Sequence, residues 1–162
     1  MYIRIIVLMT QTYYGLYPYS QYWIGTTMGL VPNSGIGATP AQFMTYINNY
    51  QYKSTAEYRM YHYTQSGTPP IGPQFSRIKA EIDANRPVAM FVYEKDPSTG
   101  QIRGHSVLIV GYNDVAGTMS DTIRIADPWP GRGTFDTSYY PLENRIWLGG
   151  TSYQYNRIIT IV

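Results

Sequence analysis

A chain of 162 residues, 44% of them hydrophobic, is long enough for one domain with a real core; a chain near this size buries roughly 70% of its unfolded surface. Its net charge is only +2 and its 12 basic residues are scattered, which argues against nucleic acid or an anionic membrane as a partner. The absence of cysteine excludes disulfides, thiolate metal sites and thiol catalysis by these residues alone, and no run approaches the roughly 20 apolar residues of a membrane-spanning helix.

In chain order, apolar side chains at Ile5, Ile6, Leu8, Met9 and Tyr13 predict a buried helix over residues 3–14, stopped at Gly15. The apolar run at residues 5–9 is too short for a signal peptide, and no small-residue cleavage site follows it. Residues 15–38 are rich in Gly, Tyr, Pro and Ser and predict loops with one short helix over residues 22–28. Thr39-Pro40-Ala41-Gln42 is a helix start: Thr39 caps, Pro40 suits the first turn and Gln42 completes a capping box. Phe43, Tyr46, Ile47 and Tyr50 continue it as one apolar stripe. Residues 57–63 predict a strand, and residues 68–73 a break rich in proline. Phe75, Ile78, Lys79 and Ile82 mark a further helix ending near Asn85.

After Pro87 the character changes. Residues 88–93, 106–112, 122–126 and 157–162 are short strand-like runs separated by turn residues. Residues 113–121 read as the loop of an antiparallel hairpin. Helices first and an antiparallel sheet second predict one α+β domain. The 18 tyrosines, against 4 phenylalanines, suit polar-surfaced β structure and binding clefts, and such a load is frequent in secreted bacterial proteins.

The hairpin brings His105, expected at the start of one strand, beside Asp127, expected at the end of the next. A carboxylate on one imidazole nitrogen fixes the tautomer and steadies the imidazolium formed when the ring takes a proton. Gly104 leaves room for a substrate backbone, and Trp129 is placed to cover the pair. The alternative is a core or edge histidine beside a turn-opening Asp-Pro. A metal site from His62, His105 and Asp127 has no supporting ligand spacing, so no metal or cofactor is expected.

Residues 75–130 resemble the bacterial papain-like cysteine peptidases, especially those similar to the bacteriocin-leader-processing peptidases. Ile82-Asp83-Ala84-Asn85-Arg86-Pro87-Val88 stands where that family ends a helix and enters a strand. Gly104-His105-Ser106-Val107-Leu108-Ile109-Val110-Gly111-Tyr112 and Ala126-Asp127-Pro128-Trp129 stand in place of its Gly-His and Asp-Pro strands. The resemblance implies a papain-like α+β fold over residues 1–162, with a mainly helical half, 1–86, packed on an antiparallel sheet half, 87–162. It further implies a peptide or protein substrate, His105 as general base and Asp127 as its orienting partner.

The family places its nucleophilic cysteine at the start of a buried helix, where the helix terminus and a nearby histidine favour the thiolate. Residues 7–15 look like the end of that helix, and counting back puts the nucleophile near Tyr2 or before Met1. The expectation is therefore a chain that is inactive or N-terminally truncated. Tyr2 is a weak acyl-transfer nucleophile, and Ser106 should face away from its neighbour His105. Ser20, Thr26 and Thr27 lie where the path of the chain is not predictable. Two other functions compete: a peptide-binding module that keeps the cleft, and an interaction domain in which His105 and Asp127 are only inherited.

Overall fold

A computed structural model describes residues 20–31, 37–46, 58–62, 75–114, 121–139 and 145–161. The helix expected over residues 3–14, Tyr2, the break at residues 68–73 and most of the loop at residues 113–121 lie outside them.

Helix α1 spans Gln21–Thr27, where a short helix was expected. Ser20 caps it in an extended conformation, its hydroxyl accepting from the Trp23 N–H at 3.1 Å. Helix α2 spans Pro40–Tyr46 and starts with the capping box that the sequence announces. The Thr39 hydroxyl accepts from the Gln42 N–H (3.2 Å), and the Gln42 side-chain oxygen accepts from the Thr39 N–H (2.9 Å). Such caps contribute about 1 kcal/mol. Of the predicted stripe, Tyr46 is buried, while Ile47 and Tyr50 fall outside the described residues.

Helix α3 spans Phe75–Asp83. It ends with Asn85 in the left-handed region at φ 57°. The Arg86 N–H donates to the Glu81 carbonyl at 2.9 Å and the Asn85 N–H to the Ile82 carbonyl at 2.8 Å. These two bonds form a Schellman cap, which asparagine tolerates and which Pro87 then closes off.

The strands are β1 Tyr58–His62, β2 Val88–Lys95, β3 Ile102–Asn113, β4 Thr122–Asp127, β5 Gly133–Ser138, β6 Arg145–Leu148 and β7 Thr151–Ile161. They form one seven-stranded antiparallel sheet in the order β1-β7-β2-β3-β4-β5, with β6 on β7. The chain is thus α+β, and β1 brings residues from its helical half into the sheet. Strands β3 and β4 pair as the expected hairpin, Asn113 opposite Thr122.

Three features differ from expectation. First, β3 begins at Ile102, so His105 lies within a strand and not at its start. The cause is the tight β2–β3 turn. Asp96 accepts from the N–H groups of Ser98 (2.9 Å) and Thr99 (3.1 Å) and from the Ser98 hydroxyl (2.6 Å). The Ser98 hydroxyl first, then the two N–H groups, hold the Asp96 carboxyl at about 2. Both strands consequently stay paired out to Lys95 and Ile102. Second, β7 starts at Thr151, well before residue 157. Third, β5 and β6 were not expected at all. The Gly-Thr-Phe-Asp-Thr-Ser run of β5 carries turn chemistry, yet it pairs with β4 along its whole length.

The core follows from strand alternation. Val88, Met90 and Val92 of β2, Val107 and Ile109 of β3, and Ile123 and Ile125 of β4 form one buried cluster with Ile78 of α3 and Ile146 and Leu148 of β6. A bulge between Ile109 and Gly111 shifts the register and lets Tyr112 return to this cluster. Ala89, Phe91, Ser106 and Leu108 are buried as well, so both faces of the central strands are covered. The sheet curls until β5 meets β6, where the Thr137 hydroxyl donates to the Trp147 carbonyl at 3.0 Å.

Candidate functional site

His105 shares its strand face with Val107 and Ile109, and Asp127 shares its own with Ile123 and Ile125. Both therefore belong to the face that carries the core. Because β3 and β4 are antiparallel and Leu108 opposes Ala126, the two polar residues come out at the same end of that face. His105 Nε2 and Asp127 Oδ1 are 2.9 Å apart, with 3% and 0% of their side chains exposed. The structure brings the two predicted residues together.

Asp127 is held from three sides. Oδ1 also accepts from the Trp129 N–H at 2.8 Å, and Oδ2 accepts from Arg132 Nη1 at 3.2 Å. Burial pushes its carboxyl upward. The His105 hydrogen bond, the Trp129 N–H, the charge of His105 and the Arg132 hydrogen bond outweigh that and hold it below the ordinary value of 3.8. A buried carboxylate with three donors stays ionised. With a carboxylate on Nε2, that nitrogen is assigned the proton, and the lone pair of the neutral ring sits on Nδ1.

The ring is gripped by aromatics. Trp129 meets it edge-on at 5.9 Å between centroids, and Tyr153 of β7 lies tilted against it at 5.8 Å. Trp129 remains 42% exposed, so it covers one side of the pair while keeping its own face to solvent. Gly104 is exposed, and a Cβ there would approach nothing closer than the Val92 carbonyl at 3.9 Å. Register with β2 is unbroken here, so Gly104 faces away from the imidazole, and its open space lies on the opposite face of β3, not in front of His105 where it was expected.

The other nucleophile candidates are placed as follows. Ser106 pairs with Phe91 in β2 and is buried. The hydroxyls of Thr26 and Thr27 donate to carbonyls of their own helix, at 3.0 and 2.8 Å, and that of Ser20 caps it. His62 pairs with Arg157 in β1, with β7 and β2 between it and His105 in the sheet.

Two contributors were not seen in the sequence. Arg132 reaches Asp127 and stacks over Trp129, with its guanidinium 5.6 Å from the ring centroid. Tyr153 packs on His105. One local signal existed: Arg132 is flanked by Gly131 and Gly133, five residues after Asp127. Its other supports are remote in sequence. Gly149 lies so close that a Cβ there would stand 2.5 Å from Arg132 Nε.

The fold and site thus define an α+β domain with a buried imidazole–carboxylate pair on an antiparallel sheet beside an exposed tryptophan. Residues 7–149 match the Peptidase C39 like family, and the chain belongs to it. No match was found among curated proteins. The 162 residues contain no cysteine.

Proposed function

We propose that the chain is a papain-like domain in which His105 and Asp127 are the general base and orienting carboxylate of a cysteine-peptidase site, and that these 162 residues do not hydrolyse peptides by themselves. The buried 2.9 Å contact between the two side chains, in a member of this family, carries the reading. In such a reaction a thiolate attacks the peptide carbonyl, donors stabilise the oxyanion, the imidazolium returns its proton to the leaving amine, and water releases the acyl group. His105 Nδ1 is the nitrogen suited to exchange that proton, because Asp127 holds Nε2. The acyl thioester, however, needs a sulfur that these residues do not contain.

The test is a quenched-fluorescent peptide library incubated with the purified 162-residue chain. No hydrolysis above buffer is expected. Turnover that disappears in His105→Ala would overturn the proposal.

A second reading, peptide binding without cleavage, is favoured by one observation: Trp129, 42% exposed, stands edge-on beside the His105 ring. Trp129→Ala removes the exposed ring and keeps the main-chain N–H that Asp127 accepts from. Labelled peptides that bind the parent chain and lose affinity in the folded variant support this reading, and equal affinity rejects it.

A further inference from the structure

We propose that Arg132 is a positioning residue of this site: it grips the outer oxygen of Asp127 and so sets how much of the carboxylate's charge is turned on His105. The proposal rests on the reading of His105 and Asp127 as base and orienter.

The geometry is that of a closed ring of contacts. His105 Nε2 meets Asp127 Oδ1, Asp127 Oδ2 accepts from Arg132 Nη1, the Arg132 guanidinium lies over Trp129, and Trp129 meets the His105 ring edge-on. The groups that bond Asp127 thus come from β3 and from the β4–β5 turn. Arg132 is also built in place. Only 21% of its side chain is exposed, Trp129 lies under its guanidinium, and Gly149, at φ 56°, leaves the space that its Nε, Cζ and Cδ occupy. It stands at the seam where the curled sheet brings the β6–β7 turn to the end of β4.

A carboxylate that faces imidazole alone lends the ring its full charge. One that also accepts from a guanidinium divides that charge and cannot rotate about its own bond. Arg132 therefore anchors the orienter and limits its pull on the base. It touches neither the imidazole nitrogens nor the reacting atoms of a substrate, so it acts through Asp127.

The test needs no activity. Chains carrying 13C-labelled aspartate and 15N-labelled histidine are compared by NMR as parent, Arg132→Met and Arg132→Lys. In Arg132→Met the Asp127 carboxyl titration should move up toward 3.8 and the Nε2-bound proton should move downfield, with Arg132→Lys in between. An arginine that only supports the fold would lower the melting temperature and leave both signals in place, and that result overturns the proposal. If Arg132→Met does not fold, Gly149→Ala displaces the guanidinium by another route. The same shifts are then expected, and their absence is equally decisive. Failure of the base-and-orienter reading would show separately, in the parent chain, as a histidine spectrum with the proton on Nδ1 and none on Nε2.

Discussion

Asp127→Ala is expected to lower the stability of the folded chain by about 3–5 kcal/mol, the cost of stripping one partner from a buried charge pair. Its side chain is fully buried, and three donors from His105, Trp129 and Arg132 converge on it. Truncation strands all three. His105 has 3% and Arg132 21% of its side chain exposed, so water can reach the guanidinium only in part and the imidazole barely at all. For a chain of this length the melting temperature should fall by about 10 °C.

The effect has a pH signature. The folded carboxyl of Asp127 lies below its ordinary 3.8. Its contribution is therefore complete above the unfolded value and is lost as pH falls through the folded one. Urea denaturation should show a wide gap between parent and variant at neutral pH and a narrower one in strong acid. A gap of equal size at both would mean that the ionised carboxylate is not what stabilises the site.

Glu81→Ala is expected to cost about 2–3 kcal/mol. Glu81 is buried in α3, with 3% of its side chain exposed, between Arg77 Nη2 at 3.2 Å and Arg86 Nε at 2.8 Å. The two arginines are about a third exposed. They can turn to water when the carboxylate goes, which keeps the loss below that at Asp127. The ion pair with Arg86 also braces the cap that delivers the chain through Pro87 into β2, the strand that pairs with β3 along His105. Glu81→Gln keeps one acceptor in place and should lose less. Thermal unfolding checks both, and a loss under 1 kcal/mol for Glu81→Ala would remove this role.

The parts of the fold that could be read from the sequence are those decided by near neighbours. Thr39 and Gln42 answer each other within one turn, and Asn85 and Pro87 end α3 by their own backbone preferences. The His105–Asp127 contact was legible because period-2 alternation puts residues 105, 107 and 109 on one face and 123, 125 and 127 on the same face of the adjoining strand, with the hairpin fixing the end at which they meet. Where remote partners decide, the sequence is silent. Strand β5 forms because β4 offers it an unpaired edge, not because glycine, threonine and aspartate favour a strand. The early start of β3 depends on the Asp96 turn on the far side of β2. Arg132 owes its place to Gly149, which no local pattern connects to it.

Asp127 Oδ1 meets both the imidazole and the Trp129 amide. The peg that aims the ring is thus the peg that bends the chain as it leaves β4. A chain that keeps this bend through Asp127 keeps with it the means to orient the imidazole. In these 162 residues, which hold no cysteine, the doublet thus has an architectural duty of its own.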